Sequence, residues 1–313
     1  MKVLFADSNH DVLHETLINS GFDCDLFWNK SSAELISILP NYDALVIRSK
    51  FKITKEIMDN CPKLKCIGRV GAGMENIDVT CAATKKINCV SAPEGNRDAL
   101  GEHAIAMLLM LFTNLKKADA EVRKGIWLRA ENRGFEIKDK TIGIIGYGKM
   151  GSAFAKKLTG FDCKILVYDK YLSGFGNDQI TETTMEKLFD ECDIVSLHVP
   201  LTKETEFMVD AAFINKFKKD IYIINTSRGK NLRTADLVAA LKSGKVKGAC
   251  LDVSEYESVS FEQIENKEIP EPLNYLINSD KVVLSPHIGG WTHESNFKMS
   301  KIIAEKMIEV LKP

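Results

Sequence analysis

Thr141-Ile-Gly-Ile-Ile-Gly-Tyr-Gly-Lys-Met-Gly151 is an apolar strand running into Gly146-x-Gly148-x-x-Gly151 and then a helix. Gly146 suits the tight turn out of the strand. Gly148 removes a side chain where a pyrophosphate approaches the backbone, and Gly151 allows the helix to pack closely on the sheet. The helix N-terminus that follows offers free N–H groups and a favourable dipole to phosphate. Gly146, Tyr147, Gly148, Lys149, Met150 and Gly151 are therefore expected along a dinucleotide. A second apolar strand, Lys164-Ile-Leu-Val-Tyr-Asp169, ends in an acid 18 residues after Gly151. That spacing suits a carboxylate on the adenosine ribose hydroxyls. Such a carboxylate repels a 2′-phosphate, so NAD is expected rather than NADP, although Lys170 adjoins it.

The turn lies mid-chain, with about 140 residues before it. Those residues alternate short apolar strands with helices: strands Lys2–Ala6, Cys24–Trp28, Ala44–Arg48, Cys66–Val70 and Asn88–Val90, helices Asp11–Ser20, Ser31–Leu39, Thr54–Asn60 and Asp78–Lys85. This pattern predicts a parallel sheet covered on both faces. One long helix is expected over Asp98–Lys117, apolar on every face at its centre and hence buried all round or shared between domains or subunits. After it come six further strands: Thr141–Ile145, Lys164–Tyr168, Ile194–His198, Ile221–Asn225, Gly248–Val253 and Val282–Ser285. The expected fold is thus α/β, with two doubly wound parallel-sheet domains, closed by a terminal helix over Glu294–Leu311.

Composition narrows the class. In 313 residues, 42 Lys and Arg balance 43 Asp and Glu for a net charge of −1, which argues against nucleic-acid or membrane-surface binding. The longest strongly apolar run, Ala104–Phe112, is too short to span a bilayer. Met1-Lys-Val-Leu-Phe-Ala6 runs straight into Asp7, without the pattern of a secretory signal. The eight cysteines form no CxxC pair and read as free thiols of a cytoplasmic protein, with no metal site expected.

Ligands in doubly wound sheets bind beyond the carboxyl ends of the strands. Three strand ends here carry reactive groups. Ile223-Ile-Asn-Thr-Ser-Arg228-Gly229 delivers a guanidinium, Leu251-Asp252-Val-Ser-Glu-Tyr-Glu257 delivers acids, and Leu284-Ser-Pro-His287-Ile-Gly-Gly290 delivers an imidazole. Arginine grips a carboxylate through paired hydrogen bonds and polarises the adjacent carbonyl. Histidine moves a proton to or from a hydroxyl oxygen, and an acid beside it orients the ring. Taken singly, each residue reads more simply as a surface ion pair, a structural turn or a solvated acid. The three together, after a dinucleotide turn, point to hydride transfer at a hydroxy acid.

With these residues the sequence resembles the D-isomer-specific 2-hydroxyacid dehydrogenases. The resemblance covers nearly the whole chain. It includes Arg69-Val-Gly-Ala-Gly-Met-Glu-Asn-Ile-Asp78, the glycine turn, His198-Val-Pro-Leu-Thr-Lys-Glu-Thr205, Asn225-Thr-Ser-Arg-Gly229, Leu251–Glu257 and Ser285-Pro-His-Ile-Gly-Gly290. It implies Arg228 as carboxylate binder, His287 as acid/base and Glu257 as its partner, with Glu255 a rival for the last role. It also implies that His198, Val199, Pro200, Thr205, Thr226, Ser227, Asp252, Gly289 and Gly290 lie along the NAD. A Rossmann NAD domain over 98–290 would then be inserted into a flavodoxin-like substrate domain made of 1–97 and 291–313, with a cleft between them and a homodimer as the usual assembly. Departures from the family pattern are Ser254, Ser258, Trp291 and a long segment over 258–280 holding Pro270 and Pro272.

Val46-Ile-Arg-Ser49 and Ala92-Pro-Glu-Gly-Asn96 look most like the D-3-phosphoglycerate dehydrogenases, which open serine biosynthesis. On that resemblance Arg48, Ser49 and Asn96 bind substrate, with Arg48 meeting a phosphate. Lys50 and Arg97 read equally well as helpers or as surface charges. The small residues of Val70, Gly71, Ala72 and Gly73 leave backbone N–H groups for a substrate carboxylate. A chain ending at Pro313 is expected to be a short form without an appended regulatory domain. Two other readings stand beside this one: a reductase of hydroxypyruvate, glyoxylate or another 2-keto acid, and an NAD-sensing binding protein like the C-terminal-binding co-repressors.

Overall fold

The computed structural model describes residues 1–28, 30–258 and 268–312. They fall into two compact units. One holds residues 1–97, 258 and 291–312; the other holds 98–257 and 268–290.

In the first unit, strands β1 (Lys2–Phe5), β2 (Asp23–Leu26), β3 (Ala44–Ile47), β4 (Cys66–Arg69) and β5 (Asn88–Ser91) form one parallel sheet in the order β2-β1-β3-β4-β5. That is the flavodoxin-like order. Side chains alternate along a strand, and here both alternating sets are apolar. Val3, Phe5, Ala44, Val46 and Cys66 enter one core with helix α1 (Asp11–Asn19) and the C-terminal helix (His293–Leu311). Leu4, Leu45, Ile47 and Ile67 enter the opposite core, beneath α2 (Ser32–Ile38), α3 (Lys55–Asp59) and α4 (Val79–Thr84). Ser31 starts α2 through a capping box with Glu34.

The next helix, α5 (Pro93–Phe112), differs from the expected Asp98–Lys117. It starts earlier because Pro93 fits the first helical turn, where no N–H is needed. It stops earlier because Asn114 adopts a left-handed conformation (φ 53°), after which α6 (Leu115–Val122) begins. Nor is it buried all round. Ala104, Met107, Leu108, Leu111 and Phe112 are buried, whereas Leu109 is 36 % exposed.

The second unit has seven strands: β6 (Thr141–Ile145), β7 (Lys164–Tyr168), β8 (Ile180–Glu182), β9 (Ile194–Leu197), β10 (Ile221–Asn225), β11 (Val246–Leu251) and β12 (Val282–Leu284). They run parallel in the order β12-β11-β10-β9-β6-β7-β8, a doubly wound arrangement whose switch point lies between β6 and β9. The edge strand β8 went unforeseen, because it is short and only Ile180 of it is buried. Again both faces are covered. Ile142, Ile144, Ile165 and Val167 pack with α5 and α7 (Lys149–Leu158). Ile145, Leu166, Val195, Leu197 and Ile223 pack beneath α8 (Met185–Glu191), α9 (Ala211–Asn215) and α10 (Thr234–Ser243). Of the long 258–280 segment, residues 259–267 lie outside the described residues. The rest contains α11 (Glu271–Ile277), which Pro270 and Pro272 initiate rather than break. The chain closes with α12 (His293–Leu311) on the first sheet.

One titratable group sits deep in the second core. His198, just past β9, packs against Phe154 with ring centroids 5.3 Å apart, and its Nε2 shares a 2.8 Å hydrogen bond with the Ser196 hydroxyl. Burial pushes the imidazole down from 6.5 to about 3. The unfolded chain therefore takes up a proton below pH 6.5 that the folded chain refuses until about pH 3. Stability should fall as pH drops through that window, by at most about 1.4 kcal/mol per pH unit from this group. His198→Gln keeps a hydrogen-bonding amide and removes the titration. The Tm of the variant should decline less between pH 6.5 and pH 5 than that of the wild type; parallel declines would show that His198 does not carry the effect.

Candidate active site

The glycine turn is built by close approach. Gly146 has φ 93°, and a side chain there would begin 2.5 Å from the His198 carbonyl oxygen. At Gly151 a side chain would begin 1.9 Å from the Gly146 carbonyl oxygen, so the helix lies as near the strand end as backbone allows. Val199 lines the same turn. Pro200 and Thr205 belong to one loop, which is closed by the Thr205 hydroxyl on the Pro200 carbonyl at 2.6 Å.

Asp169 stands beside the glycine turn. Its carboxylate accepts the Tyr147 N–H at 2.7 Å, the Tyr171 N–H at 2.8 Å and the Leu172 N–H at 2.9 Å. Burial works to raise its pKa; those three amides outweigh it and hold the carboxyl below its ordinary range. Lys170 pairs with Glu204. Tyr147 stacks on Phe175 with centroids 4.2 Å apart.

The residues fit a dinucleotide in three respects. Open space lies where a Gly148 side chain would stand, with nothing within 4 Å. The N-terminus of α7, at Lys149 and Met150, has no side-chain cap, as an anion site requires. The Thr226 hydroxyl is buried without a hydrogen-bond partner, a donor awaiting an acceptor.

Arg228 follows β10 in a turn that its own sequence stiffens. Asn225 is the pivot. Its amide donates to the Arg228 carbonyl at 2.9 Å, and its side-chain oxygen accepts the Ser227 hydroxyl at 2.8 Å. Asn231, fully buried, donates to the Ser227 hydroxyl and to the Val199 carbonyl, each at 3.0 Å. Gly229 lies so close to the next loop that a side chain would begin 1.9 Å from the Ser254 carbonyl oxygen. The turn bearing Arg228 is thereby seated on the loop bearing Glu255 and Glu257. These two acids, rivals by spacing, have separate partners. Glu255 accepts the Thr234 N–H at 2.8 Å, at the start of α10. Glu257 Oε2 lies 3.1 Å from His287 Nδ1.

His287 is held in the left-handed region (φ 55°), unusual for a residue with a side chain. Asp252, 1 % exposed, holds it there. The Asp252 carbonyl accepts the His287 N–H at 2.7 Å. Its carboxylate accepts the Ser285 hydroxyl at 2.7 Å, the Ile288 N–H at 2.9 Å and the Gly289 N–H at 2.7 Å. Gly290 follows with φ 94°. His103, from α5, adds its Nε2 at 3.2 Å from the Asp252 carboxylate and 2.9 Å from the Ser285 hydroxyl. Neither His103 nor Ser285 stands out in the sequence as a site residue; the available signal was a histidine directly before the apolar run Ala104–Phe112.

The expected substrate residues lie in the first unit. Arg48 follows β3; its backbone N–H donates to Asp7 at 2.6 Å, and its guanidinium lies 4.2 Å from the centre of the Trp291 ring. Ser49 comes next, half-buried. In the loop after β4, Val70 is buried, the Gly71 carbonyl accepts the Ala92 N–H at 2.8 Å, the Arg69 guanidinium packs onto the Gly71 backbone, and Ala72 and Gly73 are half-buried. Asn96 lies in the first turn of α5, with a buried side-chain oxygen that lacks a hydrogen-bond partner.

Residues 105–289 match the family model for the D-isomer specific 2-hydroxyacid dehydrogenase, NAD binding domain. The chain is 35 % identical over 314 residues to a D-3-phosphoglycerate dehydrogenase of Archaeoglobus fulgidus, covering 100 % of this chain and 58 % of that one. It is 37 % identical over 295 residues to a glyoxylate reductase of Thermofilum pendens, covering 91 % and 83 %. Among solved structures, a D-lactate dehydrogenase from Aquifex aeolicus, complexed with NAD and lactic acid, superposes with a TM-score of 0.83 at 27 % identity, over 100 % of this chain and 94 % of that one. The chain spans 54–58 % of the length of the phosphoglycerate dehydrogenases it matches. The chain belongs to the D-isomer-specific 2-hydroxyacid dehydrogenase family, and its cofactor is NAD.

Proposed function

We propose that the chain interconverts a D-2-hydroxy acid and its 2-keto acid, and that its substrate is D-3-phosphoglycerate. The observation that carries the first part is the His287–Glu257 pair at 3.1 Å, set in a turn that Asp252 immobilises. Bound NAD would supply the hydride acceptor or donor for C2. Arg228 grips the substrate carboxylate with its planar fork and polarises the C2 oxygen. His287 takes the hydroxyl proton during oxidation and returns it during reduction. With Nδ1 turned to Glu257, the proton moves through Nε2. Glu257 keeps the ring from rotating, so the proton acceptor is in place before the hydride leaves.

The cofactor is assigned to the Gly146–Gly151 turn, its ribose to Asp169, and its remaining length to His198–Pro200, Thr205, Thr226, Ser227, Asp252, Gly289 and Gly290. Lys170, engaged by Glu204, is a poor receptor for a 2′-phosphate.

The phosphoglycerate assignment rests on Arg48 and on the phosphoglycerate dehydrogenases among the relatives. The Arg48 guanidinium lies over the Trp291 ring, 4.2 Å from its centroid, a cation–π contact that restricts where the guanidinium sits. A role in serine biosynthesis would follow. The second reading, a glyoxylate or hydroxypyruvate reductase, is favoured by the Thermofilum relative, 83 % of whose length the chain covers.

The assembly we propose is a homodimer. Leu115, Val122, Ile126, Leu128, Trp127 (81 % exposed) and Phe135 (61 % exposed) are exposed hydrophobic side chains of the second unit, of the kind that subunit interfaces cover. No helix among the described residues is long and apolar enough to cross a membrane. All eight cysteines are free thiols, which suits the reducing cytoplasm we assign.

A substrate panel followed through NADH absorbance should show turnover with phosphohydroxypyruvate above hydroxypyruvate, glyoxylate and 2-ketoglutarate. His287→Ala should lower kcat by about 10²- to 10⁴-fold while NAD still binds. No wild-type turnover on any member would point to the NAD-sensing reading, and normal turnover of the variant would remove His287 from the mechanism. Arg48→Ala should raise KM for phosphohydroxypyruvate by roughly ten- to a hundredfold, as expected for a lost charge-assisted hydrogen bond, and leave hydroxypyruvate nearly unchanged. Equal losses on both substrates would contradict the phosphate role.

A further inference from the structure

His103 lies far from the reactive residues in sequence, 182 positions before Ser285, yet its ring meets the turn that carries His287. The Ser285 hydroxyl has one proton, which goes to Asp252 at 2.7 Å. Its lone pairs then face His103 Nε2 at 2.9 Å, and the Asp252 carboxylate lies 3.2 Å from the same nitrogen. Both neighbours are acceptors toward the ring, so Nε2 must carry a hydrogen. One N–H thus serves two oxygens, and both oxygens hold the 285–289 turn.

We propose that His103 is a positioning residue for the turnover described above: it braces Asp252 and Ser285 so that the His287 turn keeps its left-handed shape. The inference rests on the hydride-transfer reading. It goes beyond that reading by placing a determinant of activity on a helix that supplies no reacting group.

The alternative is a histidine that merely fills space on α5. Geometry argues against it. The His103 side chain is 21 % exposed, so it is not core filler, and its Nε2 aims at a carboxylate that is 1 % exposed. A buried carboxylate needs its acceptor positions filled. Among the described residues, His103 is the charged or titratable group that faces Asp252 from the helix. From the turn come the Ser285 hydroxyl and the Ile288 and Gly289 amides. The His287 ring faces Glu257 instead. Burial works to raise the Asp252 carboxyl, and hydrogen bonds from His103, Ser285 and Gly289, with the charge of His103, outweigh it and hold it low. Removing His103 should raise it. Protonation of Asp252 would cost the turn acceptors for its amides, so activity would be lost at a higher pH as the solution is acidified.

His103→Ala and His103→Gln separate bracing from packing, because glutamine can place an amide N–H where Nε2 stands. His103→Ala should lower kcat about ten- to a hundredfold, the scale of a small misplacement of a catalytic group. It should move the acid limb of the pH profile of kcat/KM to higher pH and speed hydrogen exchange at the Ile288 and Gly289 amides. His103→Gln should restore most of all three. Ser285→Ala, which removes the shared hydroxyl, should speed the same exchange and serves where the alanine variant does not fold. Unchanged exchange and pH profile in His103→Ala would overturn the proposal. So would a glutamine variant as impaired as the alanine one. Amide exchange does not depend on turnover. A wild type inactive on every substrate would refute the hydride-transfer reading, while exchange alone still decides the role of His103.

Discussion

A single buried carboxylate, Asp252, organises the reactive end of the second sheet. A charge so far from water is costly unless each acceptor position is met by a donor. Here the donors come from two directions: the 285–289 turn and helix α5. Because the carboxylate needs those donors, the turn is held in one shape. That shape places His287 in a left-handed conformation it would not choose alone and turns its ring to Glu257. A side chain at Gly289 would begin 2.6 Å from the carboxylate, so the turn can close on Asp252 only with glycine there.

The sheets make such a site possible. In both units the central strands are apolar on both alternating faces, so helices must cover both sides. With the faces covered, the strand ends are where polar loops emerge. Arg228 follows β10, Asp252 follows β11 and His287 follows β12, three adjacent strands in register. Adjacency in the sheet brings together residues separated by about sixty positions of chain.

All strands but the edge strand β8, and the glycine turn, were legible in the sequence because they depend on local signals: runs of Ile, Val and Leu, and glycines where backbone meets backbone. Helix limits were less legible. Pro93 and Asn114 each govern one end of α5, and a reading that follows hydrophobicity alone overlooks both. The resemblance favoured Glu257 and left Glu255 a rival, because what sets Glu255 apart is Thr234, some twenty residues away, whose N–H engages it. His103 was hidden for the same reason: its meaning lies in contacts with Ser285 and Asp252, not in its neighbours along the helix. Ser227 read as a residue along the NAD, but the buried network that joins it to Asn225 and Asn231 did not show in the sequence.

In the proposed reaction, hydride leaves C2 of a D-2-hydroxy acid for NAD while His287 takes the hydroxyl proton. Incubation of the wild-type protein with NAD and D-3-phosphoglycerate carrying deuterium at C2, followed by mass analysis of the NADH, tests it most directly. Each NADH formed should carry one deuterium, and the L-isomer should yield no labelled NADH. Deuterium released to water, or NADH formed without label, would contradict it.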